Sequence, residues 1–135
     1  MSEIRSQACS ACPYRKDVPS GVWEPAEYDK LPPYDRPTAD QPWAPFMCHA
    51  TPDHYCHGWA VVHMSRGHDR ELLALRLFGC PPVPPASTPL FASGLLAAEH
   101  GQRDAAVPTP EACETVERLT RKHARLRREA LDAPD

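Results

Sequence analysis

Long apolar runs are missing from this chain of 135 residues. Residues 72–78 form one of the longest, and Arg76 breaks it, whereas a bilayer span needs about 18 to 20 consecutive apolar residues. A membrane-spanning helix is therefore excluded. The opening MSEIRSQACSACPYRKD has no apolar core between a basic start and a cleavage site, which predicts no secretory leader and a cytoplasmic location. Hydrophobic residues make up only 41% and aromatics 7%, with a mean hydropathy of -0.53, so a large dry core is excluded too. Charge of one sign is equally scarce. A net charge of -3 argues against a binder that draws its affinity from phosphate contacts over its whole surface, so any nucleic-acid contact has to be local. The common catalytic signatures are absent as well: the chain has no G-x-S-x-G, Walker loop, dinucleotide fingerprint or H-E-x-x-H.

Proline and cysteine are what the chain has in plenty, with 17 Pro and 6 Cys. The prolines fall largely in two belts, 31–45 and 81–89, where each removes an amide donor and fixes φ, so long helices and central strands are not expected there. They divide the chain into a cysteine-bearing module over 1–79, a Pro-rich connector over 80–88 and a helical part over 89–131 that packs on the module. Thr109, Pro110 and Glu111 read as N-cap, N1 proline and early acid of a long helix. Its apolar face is expected at Cys113, Val116, Leu119, His123, Leu126 and Ala130. Shorter helices are expected over 89–100, started by Thr88-Pro89 and stopped by Gly101, over 69–78 before Gly79, over 25–31 and over 56–64. No strand meander is expected.

In a reducing compartment, cysteine spacing points to metal or redox chemistry rather than disulfides. Cys9 and Cys12 form a C-x2-C pair, which on a tight turn aims two thiolates at one metal. Cys48 and Cys56 supply a second pair, C-x7-C. Four soft ligands from two segments close a loop of about 35 residues and provide ordering energy that a core-poor chain lacks. Zinc satisfies its tetrahedral shell with these four thiolates. A [4Fe-4S] cluster takes four as well, and the proline after Cys12 is a feature of cluster-binding runs. The two stay near parity, zinc slightly ahead. Four thiolates leave zinc no open position, which disfavours an enzyme.

Taken together, CSACPYRKDVPSGVW, FMCH, CHGW and LLALRL resemble a family of small uncharacterised bacterial and phage proteins, marked by C-x2-C-P-[aromatic]-R and by C-H followed by C-x-G-W. The resemblance covers residues 9–78 and implies a cysteine-rich metal module, with Cys9, Cys12, Cys48 and Cys56 as ligands and His49, Gly58 and Trp59 as motif residues. CSACPYRKD and GVW are also similar to parts of the WhiB-like iron-sulfur regulators. Val18 stands where those proteins place their next cysteine, however, and Glu24-Pro25 follow Trp23 where they continue with glycines. The F-x-C and C-x-G-W elements are loosely similar to GRF-type zinc fingers.

Around the cysteines, His49, Arg15 and His63 are candidate alternate ligands or donors to a negatively charged centre. Trp23, Trp43, Trp59, Phe46 and Tyr55 are read as a miniature core around it, and Gly58 as a point of close backbone approach. Cys113 is read as a small core residue and Cys80 as an exposed thiol. Arg118, Arg121, Lys122, Arg125 and Arg128 share about a third of the last helix's circumference. Residues 110–131 carry six basic against four acidic groups, which favours a solvated face over a phosphate-binding one. The reading is a small irregular α-rich domain stabilised by a four-cysteine metal centre, with a long C-terminal amphipathic helix. It acts by binding a partner, foremost a protein. The alternatives are an iron-sulfur redox sensor and a metalloenzyme with an open coordination site.

Overall fold

A computed structural model describes residues 2–132. The chain is helical, with α1 at Pro25–Tyr28, α2 at His57–Met64, α3 at Leu73–Phe78, α4 at Gly94–Gln102 and α5 at Pro110–Asp132. Short 3-10 turns at Pro32–Asp35 and Thr38–Asp40 carry the first proline belt, a third lies at His68–Arg70, and the second belt is without helix over 81–87. Extended pairing among the described residues is limited to isolated bridges: Tyr55 pairs with Ile4 on one side and Met47 on the other, and Arg15 pairs with Leu90. Among the described residues no helix is long and apolar enough to cross a membrane.

The long helix starts where its capping residues place it, with Thr109 Oγ1 accepting from the amide of Ala112 at 3.2 Å. Its inward face agrees with the periodicity reading at Val116, Leu119, His123 and Leu126, which line a cavity of about 310 Å³ with Val22, Trp23 and His49, and departs from it at the root. The buried α5 residues are Ala112 and Thr115, and Cys113 points to solvent rather than into a core. Ala112 seats against Ala11, Val18 and Val22, the small residues beneath the Cys9 to Cys12 turn, with Leu119 and Trp23 at the edge. A side chain one position along, turned by about 100°, misses that seat. Cys80 is exposed, as read.

α4 begins five residues later than the Thr88-Pro89 signal suggested. Ser93 is the N-cap and accepts from the amide of Leu96 at 3.1 Å. The earlier residues are spent on pairing: Lys16 N donates to Pro89 O and Phe91 N to Tyr14 O. Gly101 does not stop the helix but lies inside it, because the ring of Tyr28 packs where a side chain would go; a Cβ there would come within 2.1 Å of the ring. The segments over 25–31 and 69–78 each shorten for a similar reason. Only one turn of α1 forms before Pro32-Pro33 begins a 3-10 turn, and α3 starts at Leu73 and ends at Gly79, whose φ is +94°.

Asp35 ties these pieces together. Its carboxylate accepts from the amides of Gly94 and Leu95, both at 2.8 Å, at the positive end of α4, and from Arg66 Nη1 at 2.9 Å beyond the end of α2. Its Oδ1 also lies 3.7 Å from Nδ1 of fully buried His63, whose Nε2 meets the Tyr14 hydroxyl at 3.0 Å. The principal core surrounds this network, with Tyr14, Leu31, Trp59, Leu72, Leu75 and Ala97 all sealed from water. Trp43, expected in that core, is 73% exposed, because it sits in the proline belt between two turns.

Burial holds the imidazole of His63 neutral and lowers its pKa to about 4, with Asp35 opposing and Arg66 reinforcing the shift. The folded pKa lies below the unfolded value of about 6.5, so the unfolded chain takes up the proton first. Stability linked to His63 is complete above about pH 6.5 and drains away as pH falls toward 4. Urea melts at stepped pH should show a loss of about 2 kcal/mol between pH 6.5 and 5, absent from His63→Asn even if that variant starts lower. Parallel pH profiles for the two proteins would contradict this.

Candidate metal centre

Two short backbone devices bring the four candidate ligands together. Residues 9–12 close a tight turn, with Cys12 N donating to Cys9 O at 3.1 Å and Arg15 N to Cys12 O at 3.0 Å. The second pair is carried by a hairpin-like return in which Cys48 N donates to His54 O and Cys56 N to Phe46 O, each at 2.9 Å. The N-terminal segment lies along the same return, with Tyr55 N donating to Glu3 O and Arg5 N to Tyr55 O. Cys56 then caps α2, which runs away from the site.

All four thiols are reduced and buried. They stand as two pairs. Cys12 Sγ and Cys56 Sγ are 3.9 Å apart, close to the ~3.8 Å edge of a tetrahedron with 2.3 Å zinc-sulfur bonds. Cys48 is the strongest influence on the Cys9 thiol, while Cys12 acts on it through charge alone. Among the described residues no three His, Cys, Asp or Glu side chains are gathered as a single metal ion would hold them.

Each sulfur also faces at least one backbone N-H. The amide of Ala11 lowers the pKa of Cys9, those of Tyr14 and Gly58 that of Cys12, those of Ala50 and Thr51 that of Cys48, and that of Trp59 that of Cys56. Proline at position 13 forfeits one amide, and Tyr14 supplies the next. Within each pair the two thiols shift in opposite directions. Cys9, aided by the Arg5 guanidinium at 3.5 Å, holds Cys48 down to about 4, and Cys56 likewise lowers Cys12. Their partners, Cys9 and Cys56, are raised by the neighbouring thiol and by burial.

Gly58 makes the approach possible. A Cβ on it would lie 2.5 Å from Tyr14 Cβ and 3.0 Å from Cys12 Sγ, so only glycine lets the first turn of α2 press its amide against that sulfur. Trp59, next in the chain, is fully buried and packs against Tyr34 and Tyr55. Trp23 fixes the turn from its other side, donating Nε1-H to Ala11 O at 2.8 Å.

The flanking candidates separate. Arg15 lies beside the turn, reaching Cys9 O at 3.4 Å while its main bonds go to Asp17. The ring of His49 lies 4.2 Å from that of Trp23, with Nε2 turned to Glu27 at 3.3 Å. His63 belongs to the Tyr14 and Asp35 network, away from the thiols. Arg5, which no spacing rule singles out, is the side chain that reaches a sulfur. His57 donates from Nδ1 to the carbonyl of Arg5 at 2.9 Å, leaving a buried Nε2 with no partner. Cys9 borders a cavity of about 200 Å³ shared with Arg5, His49 and Lys122, and Cys48 borders a wider cleft of about 610 Å³ with Tyr34 and Phe46.

The chain belongs to the family of unknown function DUF6283, whose model matches residues 4–122. That span includes both cysteine pairs and bears out the first of the resemblances drawn from the motifs. Nothing in the match carries the WhiB-like one. No curated protein and no solved structure matches the chain.

Gly58→Ala should cost about 2 kcal/mol or more by overpacking and pull the Gly58 amide from Cys12. A urea melt would read the loss, and a thiol-reactive aromatic disulfide should label the buried cysteines markedly faster than in the wild type. Unchanged stability with unchanged labelling would refute the close-approach argument.

Proposed function

We propose that this protein is a small metal-binding module in which Cys9, Cys12, Cys48 and Cys56 hold one metal centre, and that it acts by binding a partner in regulation. The observation that carries the reading is the gathering of four buried thiols from two segments, with Cys12 Sγ and Cys56 Sγ 3.9 Å apart. Four buried thiolates on a metal also need their charge offset, and nearby backbone amides lower the pKa of each thiol. Arg5 and Arg15 add positive charge at the rim. Such a centre would supply the ordering energy that two proline belts and a small core leave short.

The pairwise arrangement favours an iron-sulfur cluster over zinc as the occupant. A single tetrahedral ion draws all its sulfurs to about 3.8 Å from one another, whereas among the described residues Cys12 and Cys56 stand at that spacing and no three ligands are gathered. A two-iron cluster takes one close pair of thiolates on each iron and holds the two pairs apart, as these four stand. A cluster with two enclosed ligands and two beside cavities is suited to sensing oxidants or electron partners from the Cys9 and Cys48 side.

Protein purified without oxygen should show a broad visible band, iron and acid-labile sulfide, all lost in Cys48→Ser together with most of the cooperative melt. One equivalent of zinc and no colour would replace the cluster with a structural zinc. A Cys48→Ser variant with unchanged metal content and stability, or wild-type protein with no metal at all, would overturn the centre itself.

A further inference from the structure

We propose that the second half of α5 is a DNA-binding helix that contacts the phosphates of a duplex through Arg118, Arg121, Lys122, Arg125 and Arg128. These five side chains line one shallow depression of about 450 Å³ on α5, and no acidic side chain lines it. Ser10 completes it from the Cys9 to Cys12 turn. Glu114 and Glu129 share the stripe by helical position, and Glu129 is 3.9 Å from Arg125 Nε. The net charge of -3 therefore conceals a locally basic surface.

The shape of the surroundings selects the partner. Every residue from 121 to 132 is exposed, and Lys122, His123 and Leu126 face Trp23 and His49 across a cavity of about 310 Å³, so this part of α5 stands off the body as a rod. Such a rod is about 10 to 12 Å across, and the major groove of B-DNA is about 12 Å wide. The groove of duplex RNA is too narrow for it. Residues 118 and 128 are separated by about 15 Å of helix rise, with basic side chains repeating every three or four residues, or about 4.5 to 6 Å. Four of the five are arginines, whose planar fork matches a phosphate. A membrane surface is disfavoured because this half of the helix has few large apolar residues, Leu126 and Leu131, to insert.

The inference rests on the binding-module part of the proposed function and not on the metal. It is tested by fluorescence anisotropy of a labelled mixed-sequence duplex of about 20 base pairs with the full chain as purified, at salt between about 50 and 200 mM. Five phosphate contacts predict a slope of log K against log salt of about -4.5, a weakening of about 10² to 10³ across that range. Arg121→Gln, Arg125→Gln and Arg128→Gln combined should flatten the slope by about 3 and lower affinity at least tenfold at low salt. Because these side chains are exposed, the helical circular dichroism and the metal content of that triple variant should stay as in the wild type. No binding at low salt, a triple variant that binds like the wild type, tighter binding to duplex RNA, or equal competition by poly-glutamate would each overturn the proposal. Metal content read on the same samples separates failure here from failure of the metal centre.

Discussion

The close approach of α2 to the Cys9 to Cys12 turn is the constraint on which the rest of the structure depends. Gly58 touches Cys12 and Tyr14 with its backbone, and from that contact the thiol of Cys56, one turn edge away, falls 3.9 Å from Cys12. A side chain at 58 would hold the two segments apart by more than the contact tolerates. The same contact buries Tyr14 completely, and the Tyr14 hydroxyl then meets His63 at the far end of α2. One glycine thus aligns α2 at both ends, with thiols gathered at its start and a buried polar network at its finish.

That network carries the alignment into the second half of the chain. His63 stands beside Asp35, and Asp35 accepts the two leading amides of α4. α4 in turn holds Tyr28 against Gly101, and the amide of Gly21 donates to the carbonyl of Gly101 at 2.8 Å, closing the circuit next to the cysteine turn. The proline belts run between these anchors without regular structure of their own because each joint is held by side-chain and backbone bonds rather than by a ladder. A chain with little apolar surface achieves one packed unit by this means, with many polar groups satisfied at specific points.

What the sequence disclosed and what it withheld follow from the range of the forces involved. The cap at Thr109, the glycine stop at Gly79 and the place of Gly58 are local, and each was legible from neighbouring residues. Trp23, Trp59, Phe46 and Tyr55 could be assigned to the surroundings of the cysteines because large apolar rings seldom have another place to go in so short a chain. The exposure of Cys113 and Trp43 was not legible, since both depend on the direction in which a helix or turn leaves the body. Arg5 and Asp35 were invisible for a related reason. Their partners lie 43 and 59 residues away, and nothing in the composition of their neighbourhoods marks a charged residue that bonds a distant thiol or caps a distant helix.

The cysteine turn and α5 are one mechanical unit, and this gives the two proposals a common physical basis. Ala112 is buried against Ala11, between the two cysteines of the turn, and Ser10 of the same turn borders the basic depression. Leu119 and Lys122 also line the cavity that reaches Cys9. A change in the charge or length of bonds at Cys9 and Cys12 would therefore be felt at the root of α5, through small residues packed too closely to absorb a shift. The exposed half of the helix stands across cavities from Trp23 and His49 rather than packing on them, so its direction is set mainly by that root. A metal centre at the turn would then fix the angle at which the arginines are presented, because the root of α5 is seated on that turn.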